Sequence, residues 1–234
     1  MSVPEYDLNG NIKQLTRRKK GEGRIDDLSY EYTGNHLEAV SDATTGASGD
    51  LGFIDGETSD NEYRYDSNGN MTEDRNKGLD DVTYNHLNLP RKLVGGDKTI
   101  HYIYDANGQK LAKTAPDGTK TYYAGNFVYE GDELKYILHS EGKIDMSGGT
   151  PVYQFYLKDH LGNVRAMTDL SGNLQQVSSY YPFGMLAENV KMDGATNQYR
   201  YNGKELQDDA IGNGQLNWYD YGARFYDPAI GRWH

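Results

Sequence analysis

Apolar and polar positions alternate along this chain with period two, in short runs broken by glycine and asparagine. The clearest unit is Tyr-x-Tyr, which recurs at Tyr30–Tyr32, Tyr63–Tyr65, Tyr102–Tyr104, Tyr199–Tyr201 and Tyr219–Tyr221. Successive residues of a strand point to opposite faces, so both rings of each unit share one face. Turn residues follow at Gly34-Asn35, Asn68-Gly69, Asn107-Gly108 and Asn202-Gly203. Asn and Gly tolerate the positive φ that two-residue hairpin turns demand, so the pattern predicts tight hairpins. One turn recurs almost unchanged in Tyr6-Asp7-Leu8-Asn9-Gly10-Asn11, Tyr65-Asp66-Ser67-Asn68-Gly69-Asn70 and Tyr104-Asp105-Ala106-Asn107-Gly108-Gln109. Return strands such as Gln109 to Lys113 then lead to a further turn at Pro116-Asp117-Gly118. Tyr65, Tyr84 and Tyr104 stand 19 and 20 residues apart, the length of two short strands and two turns.

No window sustains a helical apolar period over three turns; a short helical turn is conceivable only around Lys204 to Asp209. Residues 41–60 read as a long acidic loop inserted in the first part of the chain, and 145–150 as a flexible joint. The expected fold is all-β: consecutive antiparallel hairpins forming a spiralling sheet. A long sheet twists and must coil, close or stack to manage its edges. Its inner face would carry many of the tyrosines.

Composition sharpens this picture. Leu, Ile, Val and Phe number only 42, about 18% of the 234 residues, beside a net charge of −11, a pairing that leans toward disorder. The 21 tyrosines against 5 phenylalanines reverse that inference. Tyrosine brings large apolar area but a hydroxyl that wants a partner, so the chain builds many half-wet surfaces. The acidic balance argues against nucleic-acid and anionic-membrane partners, which call for basic surfaces. The one basic run, Arg17 to Lys20 with Arg24 nearby, reads as a solvated loop between strands. With no cysteine there is no disulfide or thiolate chemistry, no apolar run approaches a membrane span, and the first residues do not form a secretory signal.

At this point the motifs carry a resemblance. The repeats resemble the YD repeats of Rhs proteins. The second half resembles the Rhs repeat-associated core, through Tyr156-Leu157-Lys158-Asp159-His160-Leu161-Gly162-Asn163-Val164-Arg165, Tyr180-Tyr181-Pro182-Phe183-Gly184 and Tyr199-Arg200-Tyr201-Asn202-Gly203-Lys204-Glu205. It closes on Trp218-Tyr219-Asp220-Tyr221-Gly222-Ala223-Arg224-Phe225-Tyr226-Asp227-Pro228 and Gly231-Arg232-Trp233. The resemblance implies a YD-repeat strip over 1–144 and a core segment over 151–234 continuous with the same sheet. It further implies a β-strip wound into a hollow shell, or cocoon, holding a C-terminal toxin, as in bacterial polymorphic toxins. Related repeats occur in insecticidal toxin complexes and in the adhesive teneurins. Partners would be the rest of the shell and a cargo domain, within a larger exported protein at the surface or outside the cell. In the family an aspartate-dependent self-cleavage lies beyond Gly231-Arg232-Trp233; Arg224 and Asp227 match its upstream part, and the later acidic residues are absent before His234. The piece is expected to be catalytically inactive.

Other candidate chemistry is thin. His36, His86, His101, His139, His160 and His234 show no zinc spacing, and no metal or other cofactor is expected. Asp159-His160 invites a catalytic reading, but a turn-packing role fits adjacent residues better. Asp50, Asp55, Glu57 and Asp60 would bind calcium weakly at most, lacking an EF-hand pattern. Three function classes follow: a structural encapsulation module, a glycan- or surface-binding module, and a remnant of a self-cleaving aspartic peptidase. Tyr102, Tyr104, Tyr199, Tyr201, Trp218 and Trp233 are the shell-lining candidates; rings on an inner face favour a shell, while Trp218 and Trp233 in an open groove favour a lectin. A fragment of such a spiral should also self-associate through strand edges.

Overall fold

The computed structural model describes residues 2–19, 21, 23–44, 52–56, 61–191 and 197–234, with backbone alone at 3–4 and 188–191. The fold is all-β and antiparallel; the sole helical element among these residues is one 3-10 turn. The first sheet holds β1 (Ser2–Tyr6), β2 (Ile12–Lys19), β3 (Gly23–Thr33) and β4 (His36–Asp42) in chain order, followed by a hairpin of β5 (Tyr63–Tyr65) and β6 (Met71–Asp74). A twelve-stranded sheet comes next. It contains β7 (Asp81–Tyr84), β8 (Pro90–Gly95), β9 (Lys98–Tyr104), β10 (Lys110–Thr114), β11 (Lys120–Ala124) and β12 (Phe127–Glu130). It continues through β13 (Glu133–His139), β14 (Gly142–Asp145), β15 (Val152–Lys158), β16 (Val164–Asp169), β17 (Leu174–Tyr180) and β18 (Leu186–Lys191). Each strand pairs with its neighbours in sequence, and β14 and β15 pair directly across 146–151.

Gly34-Asn35, between paired Thr33 and His36, and Asn202-Gly203, with positive φ at both residues and Lys204 N donating to Tyr201 O, are two-residue turns as expected. The turns at Asn68-Gly69 and Asn107-Gly108 differ from that type. Gly10, Gly69, Gly108, Gly162 and Gly172 donate back to the carbonyls of Asp7, Asp66, Asp105, Asp159 and Asp169 at 2.9–3.1 Å, and those glycines hold φ of 81–83°. This is the three-residue loop, a type I turn closed by a left-handed glycine. Asn9, Asn68 and Asn107 do not adopt positive φ. The residue that organises the loop is the aspartate. Its Oδ1 accepts the amides two and four residues on, as Asp105 does from Asn107 and Gln109 at 2.8 Å. Asn11, Asn70, Asn163 and Asn173 add a side-chain bond to the second carboxylate oxygen.

Five tyrosines near strand ends have a matching task, which the exposed Tyr6 does not share. Each ring is partly buried, and its hydroxyl donates to a carbonyl of the preceding hairpin. Tyr32 reaches Ile12 O at 2.8 Å, Tyr65 Leu37 O at 3.1 Å, and Tyr84 Met71 O at 2.6 Å. Tyr104 reaches Pro90 O at 3.0 Å and Tyr180 Val164 O at 2.7 Å. Each acceptor opens, or directly follows the first residue of, a strand that returns from a turn, so the tyrosines stitch hairpin to hairpin along one edge.

Residues 151–191 extend the long sheet, but the remainder does not. After the 3-10 turn Tyr201–Gly203 come β19 (Glu205–Gln207), β20 (Ala210–Ile211), β21 (Gly214–Gln215), β22 (Trp218–Asp220), β23 (Phe225–Asp227) and β24 (Arg232–Trp233). Four of these make a separate sheet in the order β19-β22-β23-β24. The helical turn considered for 204–209 is thus strand β19 and its exit, one turn after the 3-10 element. This C-terminal segment seats on the tyrosine face. Ile211, Leu216, Trp218, Phe225 and Ile230 share one core with Leu15 and Tyr30 of the first sheet and with Leu93, Ile100 and Tyr102 of the long sheet. The face that an isolated strip would expose is covered by the chain itself. Close approach is made possible by glycines: a Cβ on Gly95 would lie 2.6 Å from Gly78 O and 2.8 Å from Gly212 N.

Candidate functional site

The seam between the C-terminal segment and the two sheets concentrates the buried charge of the molecule. Leu15 and Arg17 alternate onto the same face of β2, and both are fully buried. Arg17 Nη1 meets Asp26 Oδ2 at 2.8 Å, and Nη2 donates to Pro228 O and Ala229 O. The basic run read as a solvated loop therefore begins with a core residue of a strand. Lys110 lies 2.7 Å from both Glu205 and Asp220, under the Tyr123 ring at 4.4 Å. Burial alone would lower its pKa; the two carboxylates outweigh that and hold the ammonium well above its usual range. Lys113 pairs with Asp209 at 2.8 Å, and Tyr123 donates to Glu205 at 2.9 Å. Buried pairs of this kind fix a docking register, because a misplaced segment would strand charges in a dry interior.

A cavity of about 540 Å³ lies in the same seam. Asp74, Lys77, Arg200, Asp208 and Asp227 line it beside the apolar Phe53, Ile54, Met185, Leu186 and Leu206. Asp227 is fully engaged: Lys77 Nζ lies 3.0 Å from Oδ2, Trp218 Nε1 donates to the same oxygen at 3.1 Å, and Ala229 N donates to Oδ1 at 2.8 Å. Burial pushes the Asp74 carboxyl up to about 7, against the pull of Lys77. His234 stacks on Trp218 with centroids 4.7 Å apart, and burial lowers its pKa to about 4.

The sequence-derived candidates separate. Arg224 and Asp227 are not brought together; Arg224 is exposed with its guanidinium 4.6 Å from the centre of the Trp233 ring, whereas Asp227 is buried. Tyr102 is 4% exposed and packs on Phe225 and Tyr104; Tyr199 packs edge-on against Tyr136, and Tyr201 against Tyr180 and Tyr219. Trp218 has no exposed surface at all, while Trp233 is 40% exposed. Asp159 caps its turn through Leu161 and Asn163 and leaves His160 exposed. His36 stacks on Tyr65, and His139 lies edge-on to Phe155. Among the described residues no three His, Cys, Asp or Glu side chains converge on a metal position. Asp50, Glu57 and Asp60 lie outside the described residues; Asp55 accepts a bond from Asp42 N at 3.0 Å. Asp74, Lys77, Lys110 and Arg200 were missed by sequence reasoning. The signal that could have found Lys110 is its register opposite Tyr104 on the tyrosine face, which Lys113 repeats opposite Tyr102.

No family model matches the chain. It is 26% identical, over 95% of its length, to the tRNA3(Ser)-specific nuclease WapA of Bacillus spizizenii and 24% identical to the tRNA nuclease WapA of Bacillus subtilis. It spans about a tenth of the length of each. Among solved structures, the crystal structure of TcdB2-TccC3 superposes on 98% of this chain with a TM-score of 0.54, and the Photorhabdus luminescens Tc holotoxin pore with 0.55. Both are 15% identical, and the chain covers 17% and 16% of them. The likeness shows a shared fold. Among the described residues no helix is long and apolar enough to cross a membrane.

Proposed function

We propose that this chain is a structural shell module of an Rhs-type polymorphic toxin, without catalysis of its own, that helps to enclose or present a C-terminal toxin domain. The observation that carries this reading is the C-terminal segment seated across the tyrosine face and pinned to both sheets by Arg17, Lys110 and Lys113. A domain joined behind that segment would start from the covered face of the strip. The partners are then the remaining repeats of the shell and the cargo, within a larger exported protein that acts in competition between bacteria.

Two facts favour this over a glycan-binding or adhesion module. Trp218 has no surface to offer a sugar, and one face of the Trp233 ring is occupied by the Arg224 guanidinium. Against a residual peptidase, Asp227 has both oxygens committed to Lys77, Trp218 and Ala229, whereas aspartic catalysis needs two carboxylates sharing a proton and free to bind water. The test is proteinase protection of a folded reporter joined behind His234 in the complete reading frame. Protection that disappears when the repeats are deleted is expected; a reporter digested as fast as the free reporter would overturn the proposal.

A further inference from the structure

One group in the cavity has no structural task that accounts for its charge. Arg200 is 3% exposed. Its Nε donates to Asn197 O at 2.8 Å, which holds the backbone ahead of the 3-10 turn. Among the described residues no carboxylate or carbonyl meets Nη1 or Nη2, and the side chain lines the cavity. Arginine stays charged in proteins, and Nη1 and Nη2 are not among the buried atoms left without a partner, so they offer the cavity a cation with unused donors. A cavity of about 540 Å³ also falls inside the range of roughly 300–1,000 Å³ of ordinary ligand sites.

We propose that this cavity binds the free α-carboxylate end of a peptide, with Arg200 holding the carboxylate and Met185, Leu186 and Leu206 receiving an apolar terminal side chain. The planar fork of a guanidinium matches a carboxylate through two parallel bonds. The charge count selects a monoanion. The other lining cation, Lys77, is committed to Asp227 at 3.0 Å, and Asp74 and Asp208 add negative charge nearby. A phosphate dianion would gain one guanidinium and face several carboxylates. A peptide end instead brings amide donors, for which Asp208 is an acceptor; Gln198 Nε2 already orients that carboxylate at 3.1 and 3.2 Å. The apolar wall, to which Phe53 and Ile54 add, suits a leucine-like last residue. This site does not depend on the shell reading.

The experiment is calorimetric titration of the full chain with acetyl-Ala-Leu-Leu as the free acid, its carboxamide, acetyl-Ala-Glu-Leu carboxamide, and inorganic phosphate. The free acid is expected to bind at least about tenfold more tightly than the other three, a difference of about 1.4 kcal/mol. Arg200→Gln should abolish that preference. Because Arg200 also braces the 197–200 backbone, Gln215→Trp serves as a second variant: Gln215 is an exposed lining residue, and a tryptophan there takes up cavity volume. It should weaken the free acid about tenfold or more with the thermal midpoint unchanged. Equal binding of acid and carboxamide, or absence of saturable heat with the acid, would overturn the proposal. So would a glutamate side chain or phosphate binding as well as the acid, or an unaffected Gln215→Trp protein.

Discussion

Replacing each ladder tyrosine by phenylalanine removes one hydroxyl and keeps the ring. At Tyr32, Tyr65, Tyr84, Tyr104 and Tyr180 that hydroxyl donates to a single backbone carbonyl of the preceding hairpin. A net hydrogen bond is worth about 0.5–1.5 kcal/mol, and a half-buried carbonyl left without a partner adds to the loss, so each change should cost about 1–2 kcal/mol. For a chain of this size that lowers the melting midpoint by roughly 2–4 °C per kcal/mol. Tyr32→Phe should sit at the upper end, because Arg232 Nη1 also donates to that oxygen at 3.2 Å. Tyr122 supplies the control: it is 41% exposed on the opposite face, and its phenylalanine variant should stay within about 0.5 kcal/mol of the parent. Tyr84 and Tyr180 lie ten strands apart, so the double variant should lose the sum of the two to within about 0.5 kcal/mol. The assay is urea denaturation followed by tyrosine fluorescence and circular dichroism, compared at fixed m-value. Ladder variants no less stable than Tyr122→Phe would show that these bonds do not hold the hairpins together.

Lys110→Met leaves Glu205 and Asp220 buried without their cation and should cost about 3–5 kcal/mol; trypsin cleavage at Arg224 and Arg232 should accelerate as the C-terminal segment lifts. Asp74 has a folded pKa near 7, above its unfolded value, so its contribution is full in acid and lost as pH rises through 7. Asp74→Asn should therefore match the parent only below about pH 3.8 and melt progressively higher than it up to pH 7 and above. His234 works in the other sense: its folded pKa near 4 lies below the unfolded value, so its contribution is full above pH 6.5 and lost as pH falls toward 4. His234→Phe, which keeps the stack on Trp218, should flatten the stability profile in that window. On incubation at any pH the purified chain should keep one length in denaturing electrophoresis; a discrete fragment abolished by Asp227→Asn would refute the non-catalytic reading.

The strip was legible because its instructions are local. Tyr-x-Tyr alternation and glycine spacing each act within about ten residues, and the observed hairpins follow them. Even so, Asn-Gly pointed to the wrong turn at Asn68-Gly69 and Asn107-Gly108, though not at Asn202-Gly203. The aspartate three residues before the glycine decides the loop, and its role emerges only when its carboxylate is seen accepting two amides. The seam was not legible. Arg17 sits on the Leu15 face by period two, which marks it as buried, but nothing in its surroundings announces Pro228 and Ala229, more than 200 residues away. Trp218 likewise reads as a shell-lining or a displayed aromatic until the core that encloses it is in place. Arg200 lies inside a motif that carried the family resemblance, so its charge drew no separate attention.

The neighbour-by-neighbour order of the twelve-stranded sheet has a kinetic consequence. Every one of its pairings joins strands adjacent in sequence, so loop-closure entropy stays small at each step and the strip can grow hairpin by hairpin as the chain emerges. The contacts that tie the C-terminal segment to the first sheet and to β10 and β11 span about 82 to 221 residues and come last. Until then the tyrosine face is open to water and to other chains, which is the interval in which aggregation competes. Arrival of Lys110's and Arg17's partners ends that interval in one step, since neither buried pair can form halfway. Residues 205–234 thus act as a check that the strip beneath them was laid down in register.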